Sequence, residues 1–253
     1  MNNMGSQMLE NQVVIVTGAT RGIGKAVLER FAAEGATVIG VYAKSEDIAT
    51  TVQAEMDRLG YSVRLHKGLV DDIHFVRSLM LQVKNEFGRI DCLVNNAGIV
   101  QDQLSMRMTL DQWDAVIHTN YMGTLMCCAE AIPIMEENHR GTVINVVSIT
   151  GIYGREAQIN YGTSKGAIIG LTKLLARRYA KAGILVNAIA PGMIETEMTE
   201  QVPSDKMDNF LSHTHLERLG TKSEIANVTL MLASGLSNYV SGQVLRVDGG
   251  FLR

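Results

Sequence analysis

Two textures alternate along this chain. Short runs at 13–17, 37–41, 62–66, 91–95, 142–147, 184–190 and 243–247 are rich in strand-forming residues, and most are near-continuously apolar rather than alternating. That pattern marks strands buried on both faces of a parallel sheet. Between them, stretches near 22–34, 46–59, 72–87, 111–138, 158–182 and 222–234 read as helices. Two start signals, Thr109-Leu110-Asp111-Gln112 and Thr221-Lys222-Ser223-Glu224, have the form of a capping box. Six strand–helix units in succession predict right-handed crossovers and an α/β fold: a doubly wound sheet of seven parallel strands with helices on both faces. With no repeat, low-complexity tract or linker, residues 11–253 are expected to form a single domain. Residues 1–10, polar and Met-rich, are expected to be a loose leader. Ligands of such sheets sit at the carboxyl ends of the strands. Gly18, Asn96, Ser148 and Pro191 each end or follow a predicted strand, so all four should converge on one crevice.

Composition narrows the classes. The chain has 253 residues, 46% hydrophobic and 19% charged, which suits a sizeable core and argues against disorder. A formal net charge of −3 offers no basic excess to neutralise phosphates, so a general nucleic-acid binder is not expected. Cys92, Cys127 and Cys128 make no disulfide framework, and a reduced, cytoplasmic setting fits best. No apolar run reaches the roughly 18 residues needed to span a bilayer. The stretch 124–135 is interrupted by Glu130 and Pro133, and no basic residue precedes Arg21 to start a signal peptide.

The candidate chemistry begins with Gly18-Ala19-Thr20-Arg21-Gly22-Ile23-Gly24, between the first strand and the first helix. Glycines permit a sharp turn and let backbone N–H groups and a helix N-terminus approach a pyrophosphate, as in Rossmann-type dinucleotide sites. The spacing differs from the usual G-x-G-x-x-G, and a tight turn alone would give the same cluster. An NAD site usually places an acid at the end of the second strand; here Val41-Tyr42-Ala43-Lys44-Ser45 has none. Arg21 and Lys44 are placed to meet a 2′-phosphate instead, which points to NADP(H). Further along, Tyr161 and Lys165 stand one helical turn apart, with Ser148 and Asn120 upstream. A neighbouring ammonium is expected to favour the phenolate and lower the tyrosine pKa from its ordinary value near 10. A hydroxyl could then orient a carbonyl while the phenol supplies its proton.

The ordered set Asn120, Ser148, Tyr161 and Lys165, with Asn95-Asn96-Ala97-Gly98 and Pro191-Gly192, resembles the short-chain dehydrogenase/reductase family from Val13 to Gly250. The resemblance implies roles. Tyr161 would be proton donor in reduction and base in oxidation, Lys165 would hold the nicotinamide ribose, Ser148 would orient the substrate carbonyl, and Asn120 would support proton resupply. Gly18, Thr20, Arg21, Gly22, Ile23 and Gly24 would cradle the cofactor. Lys44, Val70, Asn96, Ala97 and Gly98 would border its adenosine half, while Pro191, Gly192, Ile194 and Thr196 would flank the carboxamide and phosphates. Stretches such as Asp102 followed by Met106-Arg107-Met108, Arg218-Leu219-Gly220 and Asp248-Gly249-Gly250 are most similar to those of the bacterial 3-oxoacyl-[acyl-carrier-protein] reductases. That implies NADPH-dependent reduction of a β-ketoacyl thioester in fatty-acid or polyketide-type synthesis, acyl carrier protein as partner, and a homotetramer built with the helices near 111–138 and 158–182 and the C-terminal strand.

Departures from the family pattern keep other readings open. Leu69-Val70 stands where an Asp or Asn often contacts adenine, with the acids displaced to Asp71 and Asp72. The segment after Ser148 carries Tyr153 and Arg155, which leaves room for a free polar or cyclic alcohol or ketone as substrate. A cofactor-sensing scaffold is a third reading, against which the intact tetrad argues. The expected carrier-docking arginines appear as His139 and Ala182, with Arg140 and Lys181 beside them. Lys173, Arg177 and Lys181 form one stripe that suits either an acidic partner or a helix dipole. Met193, Met198 and Met207 suit an adaptable lid or ordinary packing. His213 and His215 lack the further ligands a metal would need, so no metal is expected.

Overall fold

The computed structural model describes residues 7–197, 199, 202 and 204–252. Seven strands, β1 (Val13–Thr17), β2 (Thr37–Tyr42), β3 (Val63–Lys67), β4 (Cys92–Asn95), β5 (Gly141–Val146), β6 (Ile184–Pro191) and β7 (Val244–Val247), form one sheet in the order β3-β2-β1-β4-β5-β6-β7. Every pairing is parallel. Successive strand residues point to opposite faces, and the core divides accordingly. Val14, Val16, Val38, Val94 and Ile144 pack with α1 (Gly22–Ala33), α2 (Glu46–Arg58) and α9 (Lys222–Ala233). Val13, Ile15, Ile39, Leu93 and Val143 pack with α3 (Ile73–Phe87), α5 (Gly123–Glu137) and α7 (Ile159–Tyr179). Both faces are covered, as the unbroken apolar runs predict. No helix among the described residues is long and apolar enough to cross a membrane.

Both capping boxes form. Thr109 caps α4 (Leu110–Val116) reciprocally with Gln112, and Thr221 caps α9 with Glu224.

Three expectations change. The predicted helix 111–138 is two helices, α4 and α5, joined by a π-helical turn, Ile117–Met122, that contains Asn120. Thr124 Oγ1 donates to the Asn120 carbonyl at 2.8 Å, and Gly123 lies so close to Val70 that an added Cβ would stand 2.6 Å from Val70 Cγ2. The extra residue in the turn aims the Asn120 side chain inward, where it is fully buried. Two helices were not foreseen, α6 (Thr150–Tyr153) and α8 (Ser204–Ser212). The end of the expected leader is also not loose. Leu9 is fully buried among Phe31 and Val38, and its N–H donates to the Glu34 carbonyl at 3.0 Å. An apolar side chain next to the first strand fills core space even when its neighbours are polar.

Candidate active site

Thr17, Asn95, Val146 and Pro191 end four parallel strands at the same edge of the sheet, so the segments that follow them face one another. The glycine turn is held from across β4. Thr17 Oγ1 accepts from the N–H groups of Asn96 and Ala97 at 3.0 Å each, and Asn96 Nδ2 donates to the carbonyls of Thr17 and Gly18 at 3.0 and 3.1 Å. Gly18 and Gly22 have φ of 66° and 55°, a region that L side chains rarely adopt. Gly24 is packed so tightly that a Cβ would run into the Gly18 carbonyl and the Asn96 amide. Arg21, exposed, caps α1 without a side-chain bond, and the first turn of α1 carries no acid. Its free N–H groups and positive dipole end therefore remain available to an anion, which fits a pyrophosphate. Thr20 is buried, Ile23 packs on the core, and Gly22 faces Thr196, whose methyl would lie 3.9 Å from an added Cβ.

At the end of β2, Lys44 is exposed, and Glu46 is paired with Lys67 at 2.6 Å. The displaced acids have other work: Asp72 caps α3, and Asp71 accepts from Thr119 Oγ1 at 3.2 Å. Val70 is buried against Gly123, so exposed apolar surface here belongs to Leu69, 51% exposed. Just upstream, the Phe75 ring fills the space that a side chain at Gly68 would need.

The four expected catalytic residues come together. Ser148 follows β5 and lies beside the hydroxyl of Tyr161, which sits on the first turn of α7. Lys165, one turn on and buried, donates from Nζ to the Val146 carbonyl at 2.8 Å, and Nζ lies 5.7 Å from the centre of the Tyr161 ring. Gly98 borders both Asn120 and Lys165: a Cβ there would stand 3.1 Å from Asn120 Oδ1 and 3.6 Å from Lys165 Nζ. Asn120 Oδ1 accepts from Ile99 N–H at 2.8 Å, while its Nδ2 donates to the Ile99 carbonyl and to Ser164 Oγ at 3.0 and 3.1 Å. Pro191 lies alongside, its carbonyl accepting from Ile149 N–H at 3.2 Å. Gly192 packs on Asp248, Ile194 is buried, and Thr196 N–H donates to Thr199 Oγ1 at 2.9 Å.

The electrostatics differ from the expectation that Lys165 lowers the phenol's pKa. Burial, the largest influence, pushes Tyr161 up to about 12; the Ser148 hydrogen bond works the other way and the charge of Asp102 adds to the rise. Burial brings Lys165 down to about 8. Desolvation outweighs the pairing because the ammonium directs a proton to a carbonyl rather than to the phenol.

Several residues that the motifs do not single out also shape the site. Gln158, Asn160, Ser164 and Asp102 fix the start of α7. Asn160 Nδ2 donates to the carbonyls of Gln101 and Gln112, its Oδ1 accepts from Tyr161 N–H at 2.8 Å, and Ser164 Oγ donates to the Tyr161 carbonyl at 2.7 Å. A polar run flanking Tyr161 was the only signal for Gln158, Asn160 and Ser164, whereas Asp102 stands in a stretch similar to the family's. Farther out, Tyr153 lies 6.2 Å from Phe251 and 5.2 Å from the Arg246 guanidinium, and Phe251 stacks on Phe210 at 4.7 Å. Met193 and Met207 are partly buried, whereas Met198 lies outside the described residues. Lys173, Arg177 and Lys181 are exposed, and no ion pair among the described residues engages them.

Known proteins resemble this chain along most of its length. The family profile described as enoyl-(acyl carrier protein) reductase matches residues 18–252. The 3-oxoacyl-[acyl-carrier-protein] reductase FabG of Thermotoga maritima is 43% identical over 244 residues, 96% of this chain and 99% of that one. The enzymes of the same name from Staphylococcus epidermidis (strain RP62A) and Escherichia coli (strain K12) are 40% and 39% identical, over 95% of this chain and 98% and 97% of theirs. The glycine turn, the Tyr161–Lys165 pair beside Ser148 and these matches along nearly the whole length lead to one conclusion: the chain belongs to the short-chain dehydrogenase/reductase family.

Proposed function

We propose that this enzyme reduces a 3-oxoacyl thioester carried on acyl carrier protein to the 3-hydroxyacyl product, with NADPH, in fatty-acid or polyketide-type synthesis. The observation that carries the reading is the Tyr161 hydroxyl, beside Ser148 and one helical turn from a buried lysine, in the crevice that the glycine turn borders. The nicotinamide, when bound, supplies a hydride to the carbonyl carbon. Ser148 holds the carbonyl oxygen, and Tyr161 gives its hydroxyl proton to that oxygen as negative charge develops there. Lys165 positions the nicotinamide ribose, and Asn120 pins Ile99 and Ser164 around it. Gly18 to Gly24 receive the pyrophosphate with Asn96, Ala97, Gly98 and Thr196 as neighbours. Arg21 and Lys44 take the 2′-phosphate, supported by their exposure at the β1 and β2 ends and by the absence of an acid at Tyr42 or Ala43.

The exposed Lys173, Arg177 and Lys181 supply a face for an acidic carrier. Met106, Leu110, Leu174 and Leu236, each at least 69% exposed, supply apolar surface for a homotetramer. Three buried, unpaired cysteines support a cytoplasmic location. The test is loss of NADPH absorbance with carrier-linked and free ketones at low and high salt. Carrier-linked substrate should be preferred, and the preference should fall as salt rises. A free cyclic ketone used far better than any thioester would instead support a second reading, which the Tyr153–Phe251–Arg246 cluster beside the Ser148 segment favours.

A further inference from the structure

We propose that Asp102 is a positioning residue for the reaction, acting through Gln158 to hold the Ser148 segment and the start of α7 in register. Both Asp102 oxygens accept from Gln158 Nε2, at 3.0 and 2.9 Å. Gln158 is buried, caps α7 and lies three residues before Tyr161. An ionised carboxylate only accepts hydrogen bonds, so it fixes which way the Gln158 amide points. Oε1 therefore turns toward Thr150, whose hydroxyl donates to it at 3.3 Å, and Thr150 N–H in turn donates to Ser148 Oγ at 3.1 Å. The line runs Asp102, Gln158, Thr150, Ser148, Tyr161, and it ties the segment after β4 to the segment after β5 and to α7. Two further bonds hold the same segment in place: Gln103 N–H donates to the Ala157 carbonyl at 2.8 Å, and Asn160 Nδ2 donates to the Gln101 carbonyl. Without the carboxylate those two remain, but the Gln158 amide is free to reverse. A reversed amide would present its NH2 to the Thr150 hydroxyl and release the Ser148 segment from its present setting.

The carboxylate has a second effect through its charge. The charged groups that face the Tyr161 phenol are Asp102, from the segment after β4, and Lys165, from α7 itself; Ser148 faces it from the end of β5. A negative charge at 102 favours the protonated phenol, the form that donates.

This inference rests on Tyr161 being the proton donor, and the experiment separates the two ideas. Asp102→Asn, Gln158→Glu, the double variant Asp102→Asn/Gln158→Glu and Tyr161→Phe are compared for kcat, KM, the pH dependence of kcat, NADPH affinity and Tm. Each single variant at 102 or 158 should lose roughly 10- to 100-fold in kcat through misplacement of the reacting groups, with NADPH affinity kept. In Asp102→Asn the alkaline limb of the kcat profile should also move to lower pH. The double variant exchanges donor and acceptor across the same contact, so it should recover most of the lost kcat. Wild-type kcat and an unmoved alkaline limb in Asp102→Asn, with Tyr161→Phe inactive, would overturn the role of Asp102 alone. Loss in the single variants with no recovery in the double would also overturn it, since side-chain direction would then not be what matters. A Tyr161→Phe enzyme with full turnover would instead remove the reading beneath it.

Discussion

Tyr161 is held between opposite pressures, and the balance decides what a substitution there does. Burial favours the protonated phenol, the form that can donate, and Ser148 supplies a partner for its hydroxyl. Tyr161→Phe removes the proton and leaves the ring. Turnover followed by NADPH absorbance should fall 10²–10⁴-fold, about 3–5 kcal/mol of barrier, with cofactor affinity nearly unchanged. At the other end of the crevice Lys44→Ala should reduce kcat/KM for NADPH more than for NADH, by up to roughly 1.5–3 kcal/mol for a lost charge-assisted contact; equal losses with both cofactors would argue against a 2′-phosphate contact. These residues could be read from the sequence because each belongs to a local motif with fixed spacing, Tyr161 with Lys165 or Gly18 with Gly22 and Gly24. Gln158 could not, and Asp102, although it stands in a stretch similar to the family's, gave no sign of its partner, because their bond joins residues 56 positions apart.

At the scale of elements, local chemistry and long-range packing part company. The capping boxes at Thr109 and Thr221 were legible because four adjacent residues contain the whole interaction. Thr221→Ala should destabilise the fold by about 1 kcal/mol, seen as a lower Tm at neutral pH. Glu224 has a second partner: the Arg218 guanidinium, first, and then the Thr221 N–H hold its carboxyl down to about 2. Its folded pKa lies below the unfolded value near 4.5, so the stabilisation is present above that value and is lost as pH falls toward 2. The Tm deficit of Arg218→Ala should therefore shrink between pH 4.5 and 2, and a deficit that stays constant with pH would refute the pairing. The π-helical turn at Ile117–Met122 was not legible, since one extra residue in a turn barely changes the helical period. The turn is followed at once by the close approach of Gly123 to Val70, and those two are distant in sequence.

For the molecule as a whole, the parallel sheet covered on both faces followed from texture alone, but the strand order came only with the structure, and the fate of the N-terminal segment depended on where Leu9 found space. The buried Lys165 also makes global stability depend on pH. Its folded pKa, about 8, is below the ordinary 10.5, so between those values the unfolded chain holds a proton that the folded chain has released. Stability at this site therefore rises with pH across that window. Tyr161 acts oppositely above pH 10, where the folded chain keeps a proton that the unfolded chain has lost. Urea unfolding from pH 7 to 10 should show the wild type gaining on a Lys165→Met variant. Parallel curves would mean that the ammonium is not desolvated.

The contact between Gly68 and Phe75 couples any change at one of these positions to the other. An aspartate introduced at 68 alone meets an aromatic ring packed against the core, and removing the ring alone leaves a void worth about 3–5 kcal/mol. Either single step is harmful, so any route to an acid at position 68 passes through a valley. Together the two changes should cost less than the sum of their separate costs, and a double-mutant cycle on Gly68→Asp and Phe75→Ala measures how deep that valley is.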